Sequence, residues 1–157
     1  RRELYFLLQK IKNIICLCPI REFEGFYFSF AKRFKEDGLN QDILNEAWEQ
    51  WRHKTIDYLI LKKMYPKNIY FIRFEDAVNN NEIVSKYICS LLGISYLPNI
   101  LNTPTILNEK VKGNSSFSRK NDDFGKIYSQ KQKKLPKELL TNEYYQIIES
   151  VNDKIEY

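Results

Sequence analysis

The sequence has little of what several common protein classes require. Its 157 residues include only 5 glycines, 5 prolines, 3 cysteines and 1 histidine. The odd number of cysteines, with Cys16 and Cys18 spaced for one face of a strand, argues against a secreted disulfide framework. His53 lies far from every cysteine in the sequence, so no metal site is indicated. No apolar run reaches the roughly 18 residues of a membrane span. No signal peptide is visible, which together with the free cysteines favours a cytoplasmic location.

The overall composition of the chain is that of a folded domain. Hydrophobic residues make up 43% of the chain and aromatic residues 15%, enough to build a core in one domain. The net charge of +5 permits an anionic ligand without indicating one. The densest basic run, Lys131–Lys137, fits either a solvated loop or an anion contact. Because Arg1 opens directly onto an apolar segment, we expect the chain to be a fragment that starts inside a domain.

The spacing of apolar residues predicts an α/β fold. Buried strands are expected at Ile14–Cys18, ended by Pro19, and at Ile69–Ile72, and helices are expected over 2–10, 22–36, 41–64, 81–92 and 142–155. Helix ends are indicated by Asp37-Gly38 and Gly93, and helix starts by Asn40, Pro136 and Thr141. Residues 76–80 are expected to form a polar loop, and residues from 94 to about 127 a long irregular segment, either functional or disordered.

The order of these elements predicts the kind of sheet. Strands separated by helices pair in parallel through right-handed crossovers, so we expect a parallel sheet. Two strands alone do not form a stable sheet that helices cover on both faces. Further strands are therefore expected upstream of Arg1.

The first candidate site follows the first predicted strand. Arg21 stands at the end of that strand, and Ser29 follows eight residues later on the next helix. Ligands of open α/β sheets bind at the carboxyl ends of the strands, and the planar guanidinium of Arg21 suits a phosphate, to which Ser29 can add a hydroxyl bond. The alternative is a surface arginine and an unrelated helix serine.

Two further candidate segments lie later in the chain. The second strand leads into Phe74-Glu75-Asp76, which alone would be an ordinary charged strand exit. The segment from Gly113 to Lys120 combines small residues, hydroxyls and the adjacent cations of Arg119 and Lys120, which suits a loop that closes over a phosphate. The alternative for this segment is a mobile basic loop.

The order of these features, over about residues 12 to 130, resembles that of sulfotransferases that use 3′-phosphoadenosine 5′-phosphosulfate (PAPS). The features that carry the resemblance are Arg21 with Ser29, the helix with Trp48 and Trp51, the exit Phe74-Glu75-Asp76, the helix end Leu91-Leu92-Gly93 and the late pair Arg119-Lys120. The resemblance implies a three-layer α/β fold with a parallel sheet, like that of P-loop nucleoside triphosphatases. The chain, 1–157, would then be the 3′-phosphate-binding half of such a domain, truncated at its N-terminus.

The resemblance also implies roles for individual residues. Arg21 and Ser29 match the pair that holds the nucleotide 3′-phosphate, and Arg119 and Lys120 match a later basic pair that reaches the same phosphate. Ser116 belongs to a stretch that resembles the one before this basic pair in several bacterial and glycan-type members. Phe74 falls where the family often has a tyrosine beside the adenine, so only stacking would remain.

Besides Phe74, two other positions depart from the family pattern. Phe23 stands where a proline usually follows the strand-end arginine by two residues, and Asn121 stands where a glycine commonly follows the late basic pair. Nothing before Arg21 resembles the family's 5′-phosphosulfate loop or its general base, so no catalytic residue is assigned. We therefore expect the 157 residues alone to be inactive.

The implied reaction moves a sulfuryl group from PAPS to a hydroxyl or amine, without a metal. The acceptor is open: a glycan, a small molecule or a protein. Trp48 and Trp51 suit either an acceptor surface or the core, with a core role expected for at least one. His53 is expected to be exposed and at least two cysteines buried. The alternatives are a P-loop-like kinase and a basic, non-enzymatic nucleic-acid-binding module.

Overall fold

The chain folds into helices and short strands, of which this computed structural model describes residues 2–34, 39–98, 105–106, 109–110 and 135–157. The elements are α1 Arg2–Lys10, β1 Cys16–Ile20, α2 Phe23–Ala31, a 3-10 helix Lys32–Phe34, α3 Gln41–Met64, β2 Ile69–Arg73, α4 Phe74–Asn79, α5 Asn81–Leu91, β3 Thr105–Ile106, β4 Glu109–Lys110, a 3-10 helix Lys137–Leu139 and α6 Asn142–Asn152. Contacts divide the chain into two units, one of residues 1–75 and 133–156 and the other of residues 76–132 with Tyr157.

The two predicted strands pair in parallel, as expected, with Cys16 opposite Ile69 and Ile20 opposite Arg73. The predicted bounds of the first strand are wrong, because β1 begins at Cys16 and continues through Pro19. The Cys16 amide donates to the Asn68 carbonyl at 2.7 Å, and alternate residues of a parallel strand face the same neighbour. Pro19 therefore turns its nitrogen away from β2 and costs this ladder no hydrogen bond.

The first unit holds two apolar clusters. In one cluster α3 packs against α2 and α6, through buried residues that include Phe23, Tyr27, Phe30, Leu44, Ala47, Trp51, Tyr144 and Ile147. The other cluster lies around the two strands, with Leu8, Cys18, Ile20, Leu61, Ile69, Phe71 and Val151. Trp51 is 3% exposed, which confirms a core role for one of the two tryptophans, and the half-buried Trp48 packs against the same cluster.

The predicted helix starts are confirmed at the two capping residues. The Asn40 side-chain oxygen accepts from the amides of Asp42 and Ile43 at 3.1 and 3.2 Å and begins α3 at the predicted residue. The Thr141 hydroxyl accepts from the amide of Tyr144 at 3.3 Å at the start of α6. Each cap satisfies backbone donors that the first helical turn leaves without a partner. The last helix ends at Asn152, before the predicted residue 155.

Other predicted bounds need correction. Residues 76–80 are not a polar loop, because α4 covers Phe74–Asn79 and the Asn80 amide closes a helical turn onto Asp76 at 2.7 Å. Where the structure describes the segment that is expected to be irregular from 94, it includes a short antiparallel ladder of β3 with β4. Helix α2 ends at Ala31, followed by the 3-10 helix, whereas the predicted stop at Asp37-Gly38 lies outside the described residues.

The predicted helix end at Gly93 is confirmed. Gly93 has a φ of 65°, a left-handed conformation that residues with a side chain rarely adopt. This turn lets the Ile94 amide donate to the Cys89 carbonyl at 3.0 Å and the Gly93 amide donate to the Ser90 carbonyl at 3.1 Å. Both bonds satisfy carbonyls that the end of α5 would otherwise leave without a partner.

Replacing Asn40 by alanine tests whether side-chain capping supports α3. The variant keeps the backbone amide that donates to the Tyr27 hydroxyl at 2.9 Å but loses the side-chain acceptor. We expect Asn40→Ala to lower the free energy of unfolding by about 1 kcal/mol, measured by urea denaturation. Gln50→Ala, which removes only an exposed bond to Glu46, is the control and should change stability by less than about 0.5 kcal/mol. Equal losses in the two variants would contradict the capping role.

Candidate functional site

The candidate site lies where the two parallel strands end. We call it the strand-end junction and define it as Arg21 and Glu22 after β1, Arg73 at the end of β2, and Phe74 and Glu75 at the start of α4. The parallel register places the residues that follow both strands at one edge of the sheet. This is the edge at which open α/β sheets bind their ligands.

Two of the residues predicted from the sequence meet in this junction. The guanidinium carbon of Arg21 lies 4.8 Å from the centroid of the Phe74 ring. A planar cation over an aromatic face is favourable and also restricts the plane of the guanidinium group. The structure therefore brings Arg21 and Phe74 together across 53 residues of sequence.

The backbone of Arg21 is held by α3. The indole nitrogen of Trp51 donates a hydrogen bond of 2.7 Å to the Arg21 carbonyl. Trp51 is also packed against Phe23, the second residue after Arg21, with ring centroids 5.7 Å apart. The buried tryptophan thus fixes the turn between β1 and α2 by one directed bond and by packing.

A second pair of side chains links the ends of the two strands. Arg73 donates to the Glu22 carboxylate at 2.6 Å, and both side chains are about one third exposed, at 31% and 32%. A charge-assisted bond at this short distance restricts both groups. It ties the first residues after β1 to the last residue of β2.

Glu75 is the buried acid of the junction. It is 8% exposed, and its Oε1 atom accepts from the Glu22 amide at 3.2 Å. Its Oε2 atom is buried and has no hydrogen-bond partner among the described residues. Burial is the largest cause that raises the pKa of Glu75 above its ordinary value, and the Arg21 charge acts in the opposite direction.

Of the remaining predicted site residues, only Ser29 lies in the described part of the chain, and no contact there joins it to the junction. Ser29 is exposed and is the seventh residue of α2, about 9 Å along the helix axis from its first residue. Ser116, Arg119 and Lys120 lie outside the described residues. The nucleotide-binding roles of these four residues stay predictions.

The cysteines and the histidine do not form a further reactive or metal-binding site in the described part of the chain. Burial raises the pKa of the Cys18 thiol to about 11, so this group is neutral rather than nucleophilic near pH 7. Cys18 and Cys89 are buried and His53 is 69% exposed in its side chain, as expected. The described part of the chain groups no three His, Cys, Asp or Glu side chains that could hold a metal ion. Among the described helices, including the 24-residue α3, none has the length and apolar composition of a membrane span.

Several contacts of the junction are not predicted by the sequence. The Glu22–Arg73 pair, the Glu75 bond to the Glu22 amide and the Trp51 bond each join residues at least 30 positions apart. The available signal was the charged character of the residues that follow both strands. That signal identifies an edge of the sheet, but it does not predict which acidic side chain pairs with which basic one.

A sulfotransferase domain from the curacin biosynthetic pathway has a similar structure. The match has a TM-score of 0.56 at 17% sequence identity and covers 92% of this chain and 56% of that one. The likeness shows a sulfotransferase-like fold, and this chain spans just over half of the matched chain's length. No protein-family model and no curated protein sequence matches the chain.

Replacing Trp51 by phenylalanine tests whether the indole bond supports the junction. The variant keeps an aromatic ring but leaves the Arg21 carbonyl without its donor, so we expect a loss of about 1–3 kcal/mol in the free energy of unfolding. Trp48→Phe is the matched control, because Trp48 packs against the same cluster and donates no hydrogen bond to a described residue. Chemical denaturation measures both variants. A loss in Trp48→Phe as large as that in Trp51→Phe would contradict a special role for the bond.

Proposed function

We propose that this chain binds the 3′-phosphate of a 3′-phosphorylated adenine nucleotide at the strand-end junction. We further propose that the protein transfers a sulfuryl group from PAPS to a hydroxyl or amine. The observation that carries the proposal is the position of Arg21, which follows a parallel strand and has its guanidinium group against the Phe74 ring. The sulfotransferase-like fold and the order of motifs in the sequence support it.

The chemistry of the junction suits a phosphate group. Arginine offers a planar set of donors that can bond two phosphate oxygens at once, and a guanidinium held against a ring loses less freedom on binding. The junction has two arginines, and we assign the ligand to Arg21 because it directly follows β1 and has its guanidinium group against the Phe74 ring. In this proposal Phe74 both stacks near the adenine and sets the plane of the arginine.

The remaining nucleotide contacts are proposed from the sequence. Ser29 would add a hydroxyl bond to the 3′-phosphate from α2, and Arg119, Lys120 and Ser116 would approach the same group from the later loop. The three-layer, P-loop-like arrangement around a parallel sheet belongs to the same proposal. The acceptor would be a glycan, a small molecule or a protein, and the transfer would need no metal.

Replacing Arg21 by alanine tests the assignment of the 3′-phosphate. We expect Arg21→Ala to weaken binding of adenosine 3′,5′-bisphosphate by about 2–4 kcal/mol, or roughly 30- to 1,000-fold, because a charged hydrogen-bonding partner is lost. Binding of ATP, which lacks a 3′-phosphate, should change far less. Isothermal titration calorimetry on the whole 157-residue chain measures both nucleotides.

Arg33→Ala is the control for this experiment. It removes the same charge from the exposed 3-10 helix, where the guanidinium group of Arg33 lies over Phe30 rather than in the junction. Equal losses for both nucleotides in Arg21→Ala would favour a kinase-like site without 3′-phosphate recognition. Steeply salt-dependent binding to generic DNA or RNA that Arg21→Ala leaves unchanged would favour a nucleic-acid-binding module.

Replacing Ser29 by alanine tests the second proposed phosphate contact. We expect Ser29→Ala to weaken the bisphosphate by about 1.5 kcal/mol, or roughly tenfold, the size of one neutral hydroxyl bond to a charged group. Ser150→Ala is the control, because Ser150 is exposed on α6 and its hydroxyl donates to the Gln146 carbonyl of the same helix. The same calorimetry measures both variants. An unchanged affinity in Ser29→Ala would remove Ser29 from the proposed site and leave the role of Arg21 in place.

A further inference from the structure

Glu75 combines burial with an incomplete set of hydrogen bonds. Its Oε1 atom accepts from the Glu22 amide at 3.2 Å, which holds the turn that follows Arg21. Its Oε2 atom has no hydrogen-bond partner within the described part of the chain, although the residue is only 8% exposed. A buried polar atom without a partner is costly, and more so when it carries charge. The protonation of this carboxyl group therefore depends on the charges around it.

The charges around Glu75 come from every element packed near it. Burial raises the pKa of Glu75 most, and bonds from its own amide and from the Glu22 amide lower that pKa. The Glu22 charge raises the pKa further and the Arg21 charge lowers it. On α6, the Tyr144 hydroxyl is within electrostatic reach of Glu75, of Glu22 and of Glu24 on α2. Arg73 of β2 is paired with Glu22, and Asp76, the next residue of α4, accepts from the Tyr157 hydroxyl at 3.0 Å.

Several of these neighbouring groups have other partners or are neutral. Arg73 is paired with Glu22 at 2.6 Å, and the Glu24 carboxylate accepts from the Leu135 amide at 3.0 Å. Burial, followed by the charge of Glu22, raises the pKa of the Tyr144 hydroxyl, so that group is neutral near pH 7. Arg21 is the one cation that favours the ionised form of Glu75 among the causes of its pKa shift.

An anion at Arg21 changes this balance. It offsets the positive charge that favours ionised Glu75, and it brings a further negative charge toward a buried carboxylate. We propose that Glu75 takes up one proton from solvent when an anionic group binds at Arg21, so that binding at the strand-end junction is coupled to pH. This inference rests on the proposed function, because the anion is the nucleotide 3′-phosphate.

In this proposal the proton binds to one particular oxygen of the Glu75 carboxyl group. Oε1 continues to accept from the Glu22 amide, and the proton is carried by the carboxyl oxygen that had no partner. Glu75 does not contact the ligand in this proposal. It is a positioning residue that keeps the backbone after Arg21 in place while it gives up its charge.

The sign of the pH dependence follows from the direction of the shift. Ligand binding raises the pKa of Glu75 further above the ordinary value of 4.5, so the bound state holds more protons than the unliganded state. The affinity for the bisphosphate is greatest below the pKa that Glu75 has in the unliganded chain. It falls as the pH rises from that value toward the pKa that Glu75 has in the complex. One full proton corresponds to a tenfold loss of affinity per pH unit in this interval.

The test is calorimetry of adenosine 3′,5′-bisphosphate binding to the whole chain and to Glu75→Gln. Titrations at each of several pH values from about 5 to 8, in two buffers with different heats of ionisation, give the number of protons taken up. The amide side chain of this variant keeps an oxygen for the Glu22 amide but cannot titrate. The phosphate itself titrates near pH 6 in both proteins, so the difference between them isolates Glu75.

We expect the parent chain to take up close to one proton more per nucleotide than Glu75→Gln, and its affinity to fall more steeply with pH. Glu149→Gln, an exposed carboxyl on α6, is the control and should behave like the parent chain. Equal proton uptake in Glu75→Gln and the parent chain, with binding still dependent on Arg21, would overturn the role of Glu75 alone. No binding, or binding that Arg21→Ala leaves unchanged, would overturn the proposed function and this inference with it.

A second measurement does not depend on the folding of any variant. Carbon-13 NMR of the Glu75 carboxyl in the parent chain, titrated with pH in the absence and presence of the bisphosphate, reports its pKa directly. We expect the bisphosphate to shift the midpoint upward. An unchanged or lowered midpoint in the saturated complex would contradict the proposal.

Discussion

The parallel pairing of β1 with β2 is the constraint on which the candidate site depends. With Ile20 opposite Arg73, the residues that leave both strands share one edge of the sheet. Arg21 can then reach Phe74, and Glu22 can reach both Arg73 and Glu75. A shift of the register by one residue would turn every side chain of the shifted strand to the opposite face and break these contacts together.

The junction is also supported from outside the sheet. Helix α3 fixes the Arg21 carbonyl through Trp51, and the same tryptophan belongs to the aromatic cluster that joins α2, α3 and α6. Packing of the core and placement of the strand-end arginine are therefore coupled through one side chain. The arrangement of two arginines and two glutamates in the junction gives it charges of both signs, which makes an acid such as Glu75 sensitive to an added anion.

Local features of the fold could be predicted well from the sequence because their causes are local. The caps at Asn40 and Thr141 and the left-handed Gly93 depend on residues within one helical turn. Two predictions of this kind were wrong. The sequence predicts that Pro19 ends the first strand, but the cost of a proline depends on which side of the strand is paired. Residues 76–80 look like a polar loop by composition, yet most of them continue the helix that starts at Phe74.

The sequence by itself determined that the chain alternates strands and helices, that the two strands it predicts are parallel, and that an arginine follows the first of them. These properties follow from apolar periodicity and short-range turn chemistry, which operate over a few residues. Only the tertiary structure decided that the guanidinium group of Arg21 lies against Phe74, that Arg73 pairs with Glu22, and that Glu75 is buried with one oxygen lacking a partner in the described region. The physical reason is that strand register and burial are set by contacts between residues about 50 positions apart, and no local pattern specifies them.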